Sequence, residues 1–261
     1  PGGARPPVHP QLEAGTYVGH RMGMSWADLR FPIARARGLL RRTATSLRTR
    51  GPGPTLERIR DHLRAPPRAP SVDLYFPAAA PFAPFALSTS DSPRASIVVP
   101  VYNQFDYTLA CLRALAAHPP STPHEVIVVD DGSSDATAAS LVQVDGLRFH
   151  RRTSNGGFIA ACNDGASLAR GDVLVFLNND TVPQPGWLEA LLETFVTHPR
   201  TGLAGTQLVY PDGRLQESGG LVFDDGSAWN YGRFGDPSDP RYAYARRTGY
   251  CSGAAIAIGH A

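Results

Sequence analysis

Three polar residues, Asn178, Asn179 and Asp180, follow directly on the apolar run from Val173 to Leu177. This run has the length and the β-branched and aromatic content of a buried strand. In an open α/β sheet, ligands bind in the crevice beyond the carboxyl ends of the strands, so chemistry is expected here. A carboxylate beside amide oxygens suits a hard divalent cation that also holds a phosphate. The alternative is a polar strand end that only begins a turn.

Polar residues of the same kind follow other predicted strands. Asn103 comes just after the apolar stretch 95–100. Asp130 ends the next predicted strand and Asp131 follows it, and residues 155–157, Asn-Gly-Gly, form a further polar turn. Converging polar groups at strand ends predict a crevice of nucleotide size. Carboxylates in such a crevice require a metal ion to mediate binding of a pyrophosphate. Alternatively, Asp130 or Asp131 accepts a hydrogen bond from a base N–H or a ribose hydroxyl. No GxGxxG follows the first strand, which weighs against a dinucleotide site.

The elements that would position these residues alternate between strands and helices from Ala95 onward. Strands are predicted over 95–100, 125–130, 147–150, 173–177 and 254–258, and helices over 104–117, up to 168 and from 185. The strands are apolar throughout rather than alternating, which is typical of a parallel sheet covered on both faces. The sequence therefore predicts an α/β fold with a mostly parallel sheet and helices on both faces, followed after Leu203 by an irregular or antiparallel extension.

The N-terminal part of the chain differs in composition from this domain. Residues 1–95 carry 14 arginines and 6 acidic residues, whereas residues 96–261 carry 11 and 17. Residues 1–25 have no periodicity and are expected to be disordered or loosely attached. Residues 26–64 have the pattern of a basic amphipathic helical arm, and the Pro-rich residues 65–94 that of a linker with aromatic anchors.

Two interpretations of residues 26–50 stay open. A basic amphipathic helix can lie on an anionic membrane surface, or it can pack its apolar stripe on the main domain or on a partner. Nucleic acid is not expected as a partner, because no recognition module is visible and the following domain is acidic.

Composition excludes several classes of chemistry. The chain contains no lysine, which rules out a Walker A phosphate loop and Schiff-base catalysis. Its three cysteines are far apart and form no CxxC pair, which favours a reducing compartment. No apolar run approaches the length of a membrane span.

Four motifs occur in an order and spacing that resemble family 2 glycosyltransferases with the GT-A fold. They are Val99-Pro-Val-Tyr-Asn103, Val128-Val-Asp-Asp-Gly-Ser133, Asn155-Gly-Gly-Phe158 with Asn163, and Phe176-Leu-Asn-Asn-Asp-Thr181 with Pro185-Gly-Trp187. The resemblance covers residues 95–258. Residues 210–220 and 250–254 are similar to bacterial members that build surface polysaccharides such as O-antigen or rhamnose-containing chains.

The resemblance implies a role for each matching residue. Pro100 and Tyr102 would border the nucleobase, and Asp180 with Asn178 would hold Mg²⁺ or Mn²⁺ on the diphosphate. The base and ribose would be bound by Asp130 and Asp131, the nucleoside pocket would be lined by Asn155 and Gly156, and further nucleotide-binding candidates are Asn103, Asn163 and Asn179.

The implied reaction is an inverting, metal-assisted transfer of a sugar from a nucleotide-diphosphate sugar donor to a bacterial glycan or lipid-linked glycan acceptor. A carboxylate base would activate the acceptor hydroxyl. The resemblance places the protein in the cytoplasm, with a peripheral location at the inner face of the plasma membrane if residues 26–50 bind lipid.

The sequence departs from the family pattern in two respects. The metal-binding motif carries one carboxylate instead of two, and the segment expected to hold the base lies beyond Ala261, so residues 95–261 are expected to be a GT-A domain truncated at its C-terminal end. Glu217, Asp224 and Asp225 are acids in the acceptor-side region, predicted to be solvated turn residues. The base is therefore unassigned, and the alternative function is a degenerate or truncated GT-A-like module that binds nucleotide or glycan without catalysis.

Overall fold

In the computed structural model, the described residues are 40, 43–44, 47–48, 51–53, 55–56, 60, 76–77, 81–224 and 226–259. The chain divides into two compact units, Pro1–Arg64 and Ala65–Ala261. The predicted disordered residues 1–25, most of the basic arm and most of residues 65–80 lie outside the described residues. Within the described ranges, no helix has both the length and the hydropathy that crossing a bilayer requires.

The second unit contains ten strands and four helices among its described residues. The strands are β1 (Ala95–Val101), β2 (His124–Asp130), β3 (Leu147–Arg151), β4 (Val173–Leu177), β5 (Leu203–Gly205), β6 (Leu208–Val209), β7 (Leu215–Glu217), β8 (Gly220–Val222), β9 (Ala228–Asn230) and β10 (Ala255–Gly259). The helices are α1 (Phe105–Ala117), α2 (Thr137–Leu141), α3 (Phe158–Leu168) and α4 (Trp187–Thr197). The strands and helices predicted between Ala95 and the start of α4 are confirmed to within a residue or two.

Six strands form one sheet in the order β3-β2-β1-β4-β10-β5. Strands β1 to β4 run parallel, and β10 runs antiparallel to both β4 and β5. The pairs β6-β7 and β8-β9 form two small antiparallel sheets in the extension. The predicted mostly parallel α/β sheet and the antiparallel extension are both confirmed.

Hydrophobic packing covers both faces of the sheet. Every residue of β1 and β2 is buried. One face packs in the main core with Leu112 of α1 and Leu188 of α4, while the other buries Ile127 and Val129 against Ala161 of α3. Helix α3 approaches the sheet closely, since a Cβ at Gly165 would collide with the Val98 side chain.

Residues 81–94 already contact the domain. The predicted aromatic anchors Phe82 and Phe85 pack against the main core, and Leu87 is buried in it. The Leu87 amide donates a hydrogen bond to the Asp145 carbonyl at 2.9 Å. The boundary between linker and domain at residue 95 stays a prediction, and the contacts show that the sheet is supported from further upstream.

Candidate active site

The carboxyl ends of β1, β2 and β4 border a cleft of about 290 Å³, hereafter the strand-end cleft. Parallel strands present their carboxyl ends at one edge of the sheet, which is why residues far apart in sequence meet here. The cleft is lined by Pro100, Val101, Tyr102, Asp131, Asn155, Gly157, Phe158, Ala161, Asn178, Asn179 and Asp180.

The ends of β1 and β2 are locked together by side-chain hydrogen bonds. The backbone amide of Asn103 donates to Ser133 Oγ at 2.7 Å, and the backbone amide of Ser134 donates to Asn103 Oδ1 at 2.8 Å. Asn103 has a φ of 54°, a left-handed conformation that asparagine adopts more readily than most residues. The Ser133 amide also donates to Asp130 Oδ1 at 2.8 Å. Asn103 and Asp130 therefore shape the loops around the cleft rather than lining it.

Asp131 joins the end of β2 to the glycine turn, residues 155–157. Its Oδ1 accepts the Gly156 amide at 2.9 Å and the Arg152 guanidinium at 2.6 Å, and its Oδ2 accepts the Gly157 amide at 2.7 Å. Burial by itself would raise the pKa of Asp131, but these donors together hold that pKa below its usual value. Asp131 is thus an anionic cleft residue whose oxygens are already largely occupied by protein donors.

The end of β4 supplies the polar residues singled out first. Asn179 Nδ2 donates to Thr108 Oγ1 at 3.0 Å, which fixes this side chain against α1. Asn178 Oδ1 is buried without a hydrogen-bond partner, and Asp180 is exposed. Buried polar atoms normally have a hydrogen-bond partner, so the Asn178 oxygen is left with an unused acceptor position, two residues from the exposed Asp180 carboxylate.

These oxygens fit a hard cation that takes its remaining ligands from elsewhere. No cluster of three or more His, Cys, Asp or Glu suited to a metal occurs among the described residues. Mg²⁺ is commonly held by one or two carboxylates together with substrate phosphates and water. Asp180 and Asn178 therefore suit a metal that arrives with a diphosphate, and not a metal held by the protein alone.

Cys111 lies beneath the end of β4. Its Sγ is 3.9 Å from the Asn178 carbonyl oxygen, and the side chain is fully buried. Burial raises the pKa of the Cys111 thiol to about 12. The thiol therefore stays protonated and packs as a small apolar group instead of serving as a nucleophile.

Seven of the predicted site residues meet in the strand-end cleft, namely Pro100, Tyr102, Asp131, Asn155, Asn178, Asn179 and Asp180. Asn103, Asp130, Gly156 and Asn163 do not line it; Asn163 is exposed on α3, and Gly156 contributes its amide to Asp131. The assignment of all these residues to a nucleotide or a metal stays a prediction.

Phe158 is a cleft residue that the sequence reasoning did not single out. It begins α3, lines the cleft and is 55% exposed, much like Tyr102 at 50%. The signal in the sequence that could have identified Phe158 was a large aromatic residue directly after a glycine turn. The cleft thus has two half-exposed aromatic rings among its lining residues.

The prediction that Glu217 is a solvated turn acid is wrong. Glu217 ends β7, is only 2% exposed, and accepts a hydrogen bond from the Ser252 amide at 2.8 Å through Oε1. The segment after Ser252 contacts the end of β4, because the Asn178 backbone amide donates to the Ala254 carbonyl at 2.8 Å. Asp224 is exposed as predicted, and Asp225 lies outside the described residues.

A mostly parallel α/β sheet with a polar cleft at its strand ends is the architecture expected of the GT-A fold. The model of the family described as "Glycosyl transferase family 2" matches residues 96–254, which is more than half of the chain. The chain therefore belongs to glycosyl transferase family 2, a class of enzymes.

Two curated relatives are similar to about half of the chain. Glycosyltransferase AglE of Haloferax volcanii is 33% identical over 132 residues, covering 48% of this chain and 43% of AglE. The O-antigen biosynthesis protein RfbC of Myxococcus xanthus is 33% identical over 135 residues, covering 50% of this chain and 10% of RfbC. The match thus spans less than half the length of either relative.

Two solved structures show weaker, partial similarity. S. aureus TarS (residues 1–349) has 27% identity and a TM-score of 0.38, covering 42% of this chain and 34% of TarS. The mannosyltransferase PcManGT of Pyrobaculum calidifontis, solved with GDP-Man and Mn²⁺, has 18% identity and a TM-score of 0.42, covering 70% of this chain and 47% of PcManGT.

Proposed function

We propose that the protein transfers a sugar from a nucleotide-diphosphate sugar to a bacterial glycan or lipid-linked glycan, with a divalent metal and with inversion at the anomeric carbon. The main support is the strand-end cleft, which is lined by seven of the predicted site residues, among them one exposed carboxylate, Asp180. The cleft volume of about 290 Å³ lies at the small end of the range for ligand sites.

The nucleoside would occupy the part of the cleft lined by Tyr102 and Phe158. Half-exposed aromatic rings offer a flat apolar surface on which a base can stack. Asp131 Oδ2 accepts one protein hydrogen bond, so it retains capacity for one donor from the base or the ribose. Asn155, at the start of the glycine turn, would complete this pocket.

The diphosphate would lie at the end of β4. Asp180 and Asn178 would hold Mg²⁺ or Mn²⁺ there, and the cation would neutralise the charge that develops on the departing nucleoside diphosphate. The chain's own part is to keep this end rigid: Asn179 is fixed by Thr108, and the Asn178 backbone is fixed by Ala254. Rigid placement lets the oxygens act without reorganisation during the reaction.

The acceptor would approach from the side of the extension formed by β6 to β9. Support for a surface polysaccharide comes from the resemblance of residues 210–220 and 250–254 to bacterial members, and from the O-antigen role in the name of RfbC. The catalytic base is unassigned. Work in the cytoplasm, with residues 26–50 at the inner membrane face, is part of the same proposal.

One observation favours the second candidate, a module that binds nucleotide or glycan without turnover. Among the described residues, the cleft lining contains two carboxylates, Asp131 and Asp180. Asp131 is held by three protein donors, and Asp180 is the metal candidate, so neither is free to act as a base.

A donor-turnover assay separates the two candidates. UDP-sugars and dTDP-sugars are incubated with the protein, Mn²⁺ and candidate glycan acceptors, and the released nucleoside diphosphate is measured. The proposal predicts acceptor-dependent release that is lost in Asp180→Ala and retained in Asp172→Ala, an exposed aspartate just before β4 begins, at the opposite end of the strand. Nucleotide binding without release under all these conditions would instead support the binding module.

A further inference from the structure

Arg152 connects two carboxylates directly behind the glycine turn. One terminal nitrogen of its guanidinium lies 2.6 Å from Asp131 Oδ1, and its Nε lies 2.7 Å from Asp164 Oδ2 in α3. The side chain is 22% exposed, and it does not line the strand-end cleft. Arg152 is therefore placed to act on the cleft through other residues and not by touching a ligand.

We propose that Arg152 is a positioning residue of the nucleotide site: by joining Asp131 to Asp164, it fixes the glycine turn and the start of α3 as one wall of the strand-end cleft. This inference rests on the proposed function, because it gives Arg152 a role in binding the donor nucleotide.

Arg152 fixes the orientation of the Asp131 carboxylate through hydrogen bonding. A carboxylate has about four acceptor positions, and three of those on Asp131 are taken, by Arg152, Gly156 and Gly157. Because Arg152 and Gly156 share Oδ1, the guanidinium fixes the rotation of the carboxylate that receives both turn amides. Without Arg152, the carboxylate can rotate towards solvent and release the turn.

The glycine turn packs against the Arg152 guanidinium. A Cβ at Gly156 would collide with the terminal nitrogens and the central carbon of the Arg152 guanidinium. The backbone of the turn therefore lies directly on the planar group, which supports it by packing as well as by charge. Gly157 follows with a φ of 87°, and α3 begins at Phe158, a cleft residue. By supporting the turn, Arg152 thus also helps to fix the position of Phe158 in the cleft.

The two contacts of Arg152 require a guanidinium and not only a positive charge. The two contacts use different nitrogens of one rigid fork, Nε towards Asp164 and a terminal nitrogen towards Asp131. A lysine ammonium is a single point on a flexible stem and cannot reproduce this spacing. Arg152→Lys keeps the positive charge but loses the guanidinium geometry, so this variant separates the contribution of charge from that of geometry.

Arg148 provides a matched control on β3, the strand that ends just before Arg152. It also pairs with a buried carboxylate, Glu125, at 2.5 Å, but that pair lies at the opposite end of β2 and β3 from the cleft. Arg148→Lys should therefore lower stability without changing nucleotide affinity.

The test compares Arg152→Lys, Arg152→Ala and Arg148→Lys by calorimetric titration with UDP and dTDP in Mn²⁺, alongside thermal unfolding and amide NMR. Loss of charge-assisted hydrogen bonds predicts affinity reduced about tenfold or more in Arg152→Ala and several-fold in Arg152→Lys, with no change in Arg148→Lys. The amide resonances of Gly156 and Gly157 should shift in both Arg152 variants and stay in place in Arg148→Lys.

The outcomes separate this inference from the proposed function. If the wild-type protein binds the nucleotides and the folded Arg152 variants bind them equally well, Arg152 is not a positioning residue and the proposed function stands. If the wild-type protein binds neither nucleotide, the proposed function fails and the inferred role in donor binding fails with it. Unchanged amide resonances in folded Arg152→Ala would overturn the bracing of the turn in either case.

Discussion

Replacing Asp131 with asparagine removes the charge that holds the glycine turn while keeping the size of the side chain. Asparagine has one acceptor oxygen instead of two, and its NH₂ group faces either the Gly157 amide or the pair formed by Gly156 and Arg152. Breaking a buried ion pair by removing one partner costs about 3–5 kcal/mol. Arg152 keeps Asp164 and is partly exposed, so we expect a smaller loss, about 2–3 kcal/mol of unfolding free energy at neutral pH.

The stability difference between wild type and Asp131→Asn should depend on pH. The pKa of Asp131 is lowered in the folded protein, so the native state binds its proton less readily than the unfolded chain does. The stabilisation is therefore complete above the unfolded value of about 3.9 and is lost as the pH falls through the folded pKa. The gap in stability between wild type and Asp131→Asn should shrink in that acidic range.

Urea unfolding of both proteins between pH 7 and pH 3 measures this gap. Asp224→Asn, at an exposed loop position, is the control and should change stability by less than about 0.5 kcal/mol. A difference for Asp131→Asn as small as that of the control, or one that stays constant down to pH 3, would refute the assignment of Asp131 as the anion that holds the turn.

Three further predictions concern the sheet, the close helix contact and the cleft. Glu125→Gln should lower the unfolding free energy by about 3 kcal/mol, because the buried carboxylate holds Arg148 and Arg170; nucleotide affinity should not change, and a loss of affinity in calorimetry would show that the two ends of the sheet are coupled. Gly165→Ala should destabilise by about 1–3 kcal/mol in spite of its better helix propensity, because the new methyl group meets Val98; an unchanged denaturation midpoint would contradict the close contact. Phe158→Ala should weaken UDP or dTDP binding by about 1–3 kcal/mol if the base stacks there, while Phe158→Tyr should retain affinity; equal binding by all three proteins would exclude stacking.

The parts of the fold carried by local pattern were predictable from the sequence. β4 is a continuous apolar run, and both of its ends are predicted correctly from the sequence. The alternation of apolar runs with segments of helical periodicity predicts the parallel sheet. The end of each predicted strand then placed Pro100, Tyr102, Asn178 and Asp180 at one edge, because parallel strands present their carboxyl ends together. The strand-end cleft follows from this rule without any knowledge of side-chain contacts.

The remaining features depend on contacts between residues distant in sequence. Glu217 stands in a polar stretch that resembles a turn, and it is buried because the segment around Ser252, 35 residues later, donates to it. Arg152 and Asp131 are separated by 21 residues, and nothing in either neighbourhood indicates that they pair. Sequence pattern predicts which residues reach the edge of the sheet, whereas the structure shows which of them hold each other in place.

Calorimetric titration of the protein with UDP and with dTDP, each in Mn²⁺ and in EDTA, tests the proposed nucleotide site directly. We predict binding in Mn²⁺ that is lost in EDTA and in Asp180→Ala, and that is retained in Asp172→Ala. Binding that persists in EDTA or in Asp180→Ala would contradict the metal site at the end of β4. Absence of binding by the folded wild-type protein would contradict the assignment of the strand-end cleft to a nucleotide.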